Sequence, residues 1–251
     1  MPRLRSIAAN TAFYINVILW MVICAPILLG PRHWSIAAMK GWAKSTMWLT
    51  RFAAGIKWEI RGLENIPRNT DGTMSGCIIA CKHQSTWETF GLLPYLDDPA
   101  YILKQELMRI PLFGWYCAKA NMISVERSKN AQALRTMTKA AKKAVDANRQ
   151  LIIFPEGTRK AVGAQTDYKS GTAHMYKQLA VPMVPAGLNS GLFWPRRQGK
   201  RYPGTLVISL LPAIPAGQDT KTVRAELETI IESETNRLVA EARADNPQLP
   251  D

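Results

Sequence analysis

Acidic residues, histidine and cysteine are all scarce in this chain. Its 251 residues include 19 Asp and Glu against 32 Lys and Arg, with three His and four Cys. The four cysteines, Cys24, Cys77, Cys81 and Cys117, match no zinc-ligand spacing, and Cys24 lies inside an apolar run. They read as small buried hydrophobes of a protein kept reduced, which favours a cytoplasmic setting. The chain has no internal repeat, which sets aside solenoid architectures. It has no low-complexity tract either, and at 47% hydrophobic and 20% charged residues it is globular in composition rather than disordered. Its length suits one large domain, or one domain with an appendage, and a substantial core.

The shortage of acid leaves a formal charge of +13, which suits an anionic partner: nucleic acid, anionic lipid headgroups or a phosphorylated substrate. Up to residue 61 the chain carries eight basic residues against Glu59 alone, so +7 of the charge surrounds its most apolar segment. Nucleic-acid binding places aromatics among the basic residues of a soluble groove. Here the aromatics sit beside the apolar segment, so no nucleic-acid partner is expected. Membrane lipids of an anionic leaflet are.

That segment is "TAFYINVILWMVICAPILLG", residues 11 to 30. Roughly 20 residues is the minimum for a membrane span, and Asn16 and Pro26 interrupt this one. Arg3 and Arg5 precede it and Arg32 and Lys40 follow. A simple span prefers positive charge on one side only, so the symmetry favours a segment that dips into the bilayer with both ends on one face. A cleaved signal peptide is the alternative, but no small-x-small cleavage site follows. On a helix over 34–55, at about 100° per residue, Lys40, Lys44 and Arg51 fall within about 40° of one another. Trp34, Ala38, Trp42, Leu49 and Phe52 lie on the opposite side. This pattern predicts a helix in the membrane interface; the alternative is a helix packed on the protein's own core.

From residue 57 the pattern changes. Seven short apolar runs read as strands: "KWEIRGL", "GCIIACKH", "AYILK", "NMISVER", "QLIIFPEG", "PMVPAGL" and "GTLVISLLP". Helical patterns lie between them: one after Ser128 as N-cap, one over 168–180 and one over 219–243. The expected fold is therefore α/β, a largely parallel mixed sheet covered by helices, over 57–243. Residues 1–56 form a membrane-associated helical pair, and the tail 244–251 is expected to fray.

Two stretches carry polar groups at strand ends, where open α/β sheets place their ligand sites. In "KHQSTWETF", residues 82 to 90, His83 stands five residues ahead of Glu88. On one continuous helix they would lie about 140° apart and could not meet. With His83 in the loop and Glu88 in the first helical turn, the carboxylate can fix the imidazole tautomer and leave a basic nitrogen. The plainer reading is two ordinary polar residues at a strand-to-helix junction. In "LIIFPEGTRK", Glu156, Gly157, Thr158 and Arg159 follow a strand and read as an anion cradle, with arginine's planar fork suited to phosphate. The plainer reading there is a turn with an Arg–Glu ion pair. Lys104 and Arg127 each follow a strand and join the same rim if those strands end at one edge. His33 and His174 read as structural residues.

"HQSTWE", "MISVER", "FPEGTR" and "VPMVPAGLNSG", in this order and spacing, resemble the four motif blocks of the 1-acylglycerol-3-phosphate acyltransferase family over roughly residues 60 to 215. The resemblance implies that His83 is the general base and that Gly157, Thr158 and Arg159 hold the acceptor's phosphate, with Lys104, Arg127 and Glu156 among the substrate-binding groups. It also implies direct transfer of a fatty acyl group from acyl-CoA or acyl carrier protein to a lysophospholipid, with no metal or bound cofactor. Where the family usually has aspartate, this chain has Glu88, one methylene longer. Other expectations remain alongside: a different lysolipid acceptor, a thioesterase, Cys81 as a covalent nucleophile, and a lipid-binding protein without activity. The basic cluster Arg196, Arg197, Lys200 and Arg201 reads either as a contact for lipid or carrier phosphates or as a solvated loop.

Overall fold

The computed structural model describes residues 2–126 and 130–249. The N-terminal pair is α1 (Pro2–Ile23) and α2 (Arg32–Ala54), joined by a 3₁₀ turn over Ala25–Leu29. Pro26 falls in the first turn of that 3₁₀ segment, where its missing amide is harmless. Asn16, the polar interruption of the apolar run, is buried between the helices. Its Nδ2 donates to Ser45 Oγ at 3.0 Å and to Thr46 Oγ1 at 2.9 Å.

All seven expected strands form: β1 (Ile56–Arg61), β2 (Cys77–Cys81), β3 (Pro99–Lys104), β4 (Ile123–Val125), β5 (Gln150–Ile153), β6 (Met183–Leu188) and β7 (Gly204–Leu210). They make one sheet in the order β1-β7-β6-β2-β5-β3-β4. β6, β2, β5, β3 and β4 are parallel; β7 runs against β6, and β1 is parallel to β7. The central strands β2, β5 and β6 are buried along their whole length, as expected for a sheet covered on both faces. Ile79, Cys81, Ile152 and Val184 face one cluster, which includes Ile36 and Met47 of α2. Ile78, Ala80, Leu151 and Met183 face the other. That second cluster is covered by α5 (Asn130–Asp146), α6 (Ser170–Leu179) and α8 (Thr220–Asp245). Asp219 caps α8, its carboxylate accepting from the Lys221 and Thr222 amides. Three short helices complete the fold: α3 (Glu88–Gly91), α4 (Phe113–Lys119) and α7 (Ser190–Phe193). Ser128, the expected cap of α5, lies outside the described residues.

Two expectations need correction. The tail does not simply fray: α8 continues to Asp245 and Leu249 packs against the larger cluster. The face of α2 is also less segregated than its sequence suggested. Ala38 is buried, and Trp42 stacks edge-on to Phe90 with ring centres 5.4 Å apart. Lys40 donates to the Asp97 carbonyl at 2.9 Å, and Arg32 pairs with Asp98. Much of the stripe read as interfacial therefore docks α2 on its own domain, leaving Trp34, Lys44, Trp48, Arg51 and Phe52 outward. The broad apolar surface lies on α1 instead, where Leu4, Ile7, Ile15, Ile18, Leu19 and Val22 are each at least half exposed. Among the described residues, Leu4–Ile23 is the one segment long and apolar enough to cross a membrane.

The Asn16 contacts tie α1 to α2 inside an apolar interface, where unpaired hydroxyls are costly. Asn16→Ala is expected to destabilise the protein by about 1–2 kcal/mol, read as a lower unfolding temperature in detergent and faster proteolysis within α1.

Candidate active site

The parallel strands bring their carboxyl ends to one edge, and the loops after β2, β5, β3 and β6 meet there. Glu88, at the start of α3, is fully buried. Its Oε1 lies 2.9 Å from His83 Nδ1 and accepts the Gln84 and Ser85 amides, both at 2.7 Å. Its Oε2 accepts the hydroxyls of Ser85 at 2.9 Å and Ser190 at 2.8 Å. Ser85 Oγ in turn accepts the Trp87 amide at 2.8 Å. Ser85 and Glu88 thus close a side-chain-bridged turn at the start of α3, Glu88 accepting the Ser85 amide and hydroxyl while Ser85 Oγ accepts the Trp87 amide. The same carboxylate that starts α3 also orients the histidine. Because a carboxylate only accepts, Nδ1 carries the proton and Nε2 is left basic. Burial alone would push the Glu88 pKa up. The His83 hydrogen bond and charge, with the Ser85 amide, outweigh it and hold the pKa below the usual 4.5.

The loop after β5 clasps the histidine from the other side. Glu156 Oε2 accepts the His83 amide at 2.8 Å, and the Lys160 amide donates to the His83 carbonyl at 2.8 Å. The imidazole stacks on Phe154, ring centres 4.0 Å apart and 18° from parallel. Both backbone groups and one ring face of His83 are therefore set by other residues. Glu156 is itself buried and lies 2.9 Å from Lys82 Nζ, which also reaches Glu232 of α8 at 2.6 Å. Tyr168 donates to the same Glu232 oxygen at 2.8 Å. Burial raises the Glu156 pKa, with Lys82 and the His83 amide opposing. Glu156 was expected among the substrate-binding groups; its carboxylate is committed to Lys82 and the His83 backbone, which makes it a positioning residue.

Arg159 does not pair with Glu156, so the ion-paired turn weighed from sequence is not what forms. Its Nη1 donates to Thr86 Oγ1 at 2.7 Å, leaving the rest of the guanidinium toward the cavity. Gly157 has a φ of 64°, a left-handed turn that suits glycine and brings the backbone to the rim. Thr158, Arg159 and the exposed Lys104 line the same cavity as His83. Arg127 lies outside the described residues. His174 sits on α6 in a separate groove with Arg135 and Lys139. Cys81 is fully buried, and burial, then Glu88 and Glu156, raises its pKa well above the ordinary 9.0. That environment is the reverse of what a nucleophilic thiolate needs.

The cavity holds about 1090 Å³. At its polar end are His83, Thr86, Thr158, Arg159 and Lys104. Its longer walls are largely apolar, Phe13, Val17 and Trp20 of α1, Met39 and Trp42 of α2, and Phe113, Cys117 and Met122, with Arg196 and Arg197 also on its lining. Sequence reasoning missed Lys82, Ser85, Phe154, Ser190 and Glu232. The Ser-x-x-Glu spacing was a readable signal for Ser85, and a lysine ending an otherwise apolar strand was one for Lys82. Glu232 is 150 residues from Lys82 and gave none.

A histidine–carboxylate pair whose serine contacts, Ser85 and Ser190, go to the carboxylate, at the edge of an α/β sheet, defines a site for base-assisted group transfer. A family model described as Acyltransferase matches residues 57–189. A 1-acyl-sn-glycerol-3-phosphate acyltransferase of Pseudomonas aeruginosa is 36% identical over 203 residues, covering 81% of this chain and 77% of that protein. The human 1-acyl-sn-glycerol-3-phosphate acyltransferase alpha is 26% identical over 206 residues, covering 81% and 71%. The crystal structure of PlsC, the 1-acyl-sn-glycerophosphate (LPA) acyltransferase of Thermotoga maritima, shares the fold with a TM-score of 0.78 at 21% identity, over 95% of this chain and 98% of that one. The chain belongs to the acyltransferase family.

Two outcomes test this geometry. Lys82→Met strands Glu156 in the interior and is expected to cost about 3–5 kcal/mol; adding Glu156→Gln should recover much of it, read by thermal unfolding. Glu88, whose folded pKa is depressed, contributes stability above its unfolded pKa near 4.5 that is lost as pH falls through the lower folded value. The unfolding-temperature gap between wild type and Glu88→Gln should therefore be full above pH 4.5 and narrow below it.

Proposed function

We propose that this chain is a 1-acylglycerol-3-phosphate O-acyltransferase that forms phosphatidic acid from a lysophosphatidic acid acceptor and an acyl thioester. The observation that carries the reading is a single cavity that is basic beside His83 and apolar along α1 and α2, matching a phosphate joined to a fatty chain. Arg159, Lys104, Thr158 and the backbone at Gly157 take the acceptor's phosphate; Arg127, a further basic candidate, lies outside the described residues.

With Glu88 holding Nδ1–H, Nε2 of His83 takes the proton from the acceptor's free hydroxyl. The hydroxyl oxygen attacks the thioester carbonyl carbon, forming a tetrahedral intermediate. As that collapses, the C–S bond breaks and the sulfur takes the proton back from Nε2, releasing a free thiol. The enzyme forms no covalent bond to the acyl group, and no bound cofactor or metal enters; acyl-CoA or acyl carrier protein is the co-substrate. The exposed stripe of α1 anchors the protein on the cytoplasmic face of a membrane, where the lysolipid acceptor resides.

The test is thiol release from an acyl thioester by purified protein in lipid, with and without 1-acylglycerol 3-phosphate. Release that requires the acceptor, and that falls at least about 100-fold in His83→Ala, is the expected result. Release without acceptor would mark a thioesterase, and release only with another lysolipid would change the acceptor.

A further inference from the structure

The loop between α7 and β7 carries four basic residues, and the fold treats them differently. The Arg201 guanidinium lies 4.2 Å above the Trp194 ring, and its Nη1 donates to the Gln198 and Lys200 carbonyls. Burial pushes its pKa down to about 10. It is a packing residue. Lys200 is exposed and stands outside the cavity. Arg196 and Arg197 line the cavity, and among the described residues neither has an acidic or hydrogen-bonding partner.

The segment that presents this pair is rigidly held. Trp194 is buried and meets Phe13 of α1 edge-on at 5.3 Å. Asn10 donates to the Gly199 carbonyl at 2.6 Å, and Ser6 Oγ accepts the Arg201 amide at 2.9 Å. Arg197 has a φ of 56°, a left-handed conformation that arginine adopts only where its surroundings impose it. The backbone that carries these two unpaired arginines is thus held beside a cavity that Arg159 and Lys104 also line.

The sheet order says where the pair stands. Its loop follows β6, which borders β2 on the side away from β5 and β3. Arg159 follows β5 and Lys104 ends β3. His83, following β2, therefore has one set of cations on each side. The acceptor has a single phosphate, which the set after β5 and β3 serves. A second set across the base calls for a second anion on the other substrate. The pantetheine arm of an acyl thioester ends in a phosphate, whether it continues into coenzyme A or is attached to a carrier protein.

We propose that Arg196 and Arg197 hold the phosphate at the end of the donor's pantetheine arm, so that donor and acceptor approach His83 from opposite sides. The proposal rests on the reaction given above. It is tested with Arg196→Gln/Arg197→Gln, with Lys200→Gln as a basic residue of the same loop outside the cavity. Wild type and variants are compared on acyl-CoA, acyl carrier protein and acyl-pantetheine, which lacks the phosphate.

The expected result is that the ratio of kcat/KM on acyl-CoA to that on acyl-pantetheine falls roughly 10- to 100-fold in the double variant and holds in Lys200→Gln. A parallel fall on acyl carrier protein would show that the shared phosphate is read; a fall on acyl-CoA alone would place the recognised phosphate in its nucleotide half and overturn the shared-arm assignment. An unchanged ratio, a raised acceptor KM with every donor, or a loss confined to vesicle binding would each overturn the proposal, the last two in favour of acceptor phosphate or lipid headgroups. The affinity of His83→Ala protein for coenzyme A against pantetheine, with and without the double substitution, needs no turnover. Failure of the reaction itself would thus remain separate from failure of the arginine pair.

Discussion

A carboxylate sealed from water would be among the most expensive groups in this protein if nothing answered it, and Glu88 is sealed completely. Moving such an ion inside costs several kcal/mol even after the surroundings relax. Five donors converge on it: the imidazole, two backbone amides and two hydroxyls. Hydrogen bonds to a charged group contribute about 1.5–3 kcal/mol each, enough together to offset the burial. The condition is that all five are in place at once. The turn before α3, Ser190 at the start of α7 and the His83 ring are coupled through that one residue, so the base is oriented only when the sheet edge is assembled.

The glutamate–aspartate difference then has a physical resolution. A longer acid would swing away from the histidine if it hung free. Here the Gln84 and Ser85 amides hold Oε1 and the Ser85 and Ser190 hydroxyls hold Oε2, so the extra methylene is absorbed in the turn at the start of α3 and the 2.9 Å contact to Nδ1 survives. The opposing loop reinforces this. Glu156 and Lys160 grip the His83 backbone, while Lys82 and Glu232 hold Glu156. One acid fixes the ring and the other fixes the main chain. The pair of loops thereby reduces to two buried carboxylates with different tasks.

Much of this was legible in the sequence. The seven apolar runs became seven strands because near-continuous Ile, Leu and Val suits a sheet buried on both faces, and their parallel order put His83 and Arg159 at one edge. What escaped were interactions without a local pattern. Glu232 looks like any polar residue of an amphipathic helix until α8 is docked. The roles of Glu156 and Arg159 looked interchangeable with an ion pair between them, and only the buried Lys82 draws them apart. On α2 the helical arithmetic was sound, but periodicity cannot say whether an apolar face meets lipid or protein. Trp42 and Ala38 meet protein because Phe90 and the cavity lie beneath them.

The placement of α1 bears on how such a site can be filled. One side of the helix is an exposed apolar stripe, and the other supplies Phe13, Val17 and Trp20 to the cavity wall. Drawing a fatty chain through water costs about 0.8 kcal/mol per methylene, so a chain of some fifteen would cost roughly 12 kcal/mol. In the proposed anchoring, the same helix would be both lipid-facing surface and cavity wall and would remove most of that barrier, since the chain would exchange one apolar surround for another. Asn16 is what holds the two roles together. Buried against Ser45 and Thr46, it pins α1 to α2 at one rotation, and a turn of the helix about its axis would put the stripe in the cavity and the wall in solvent.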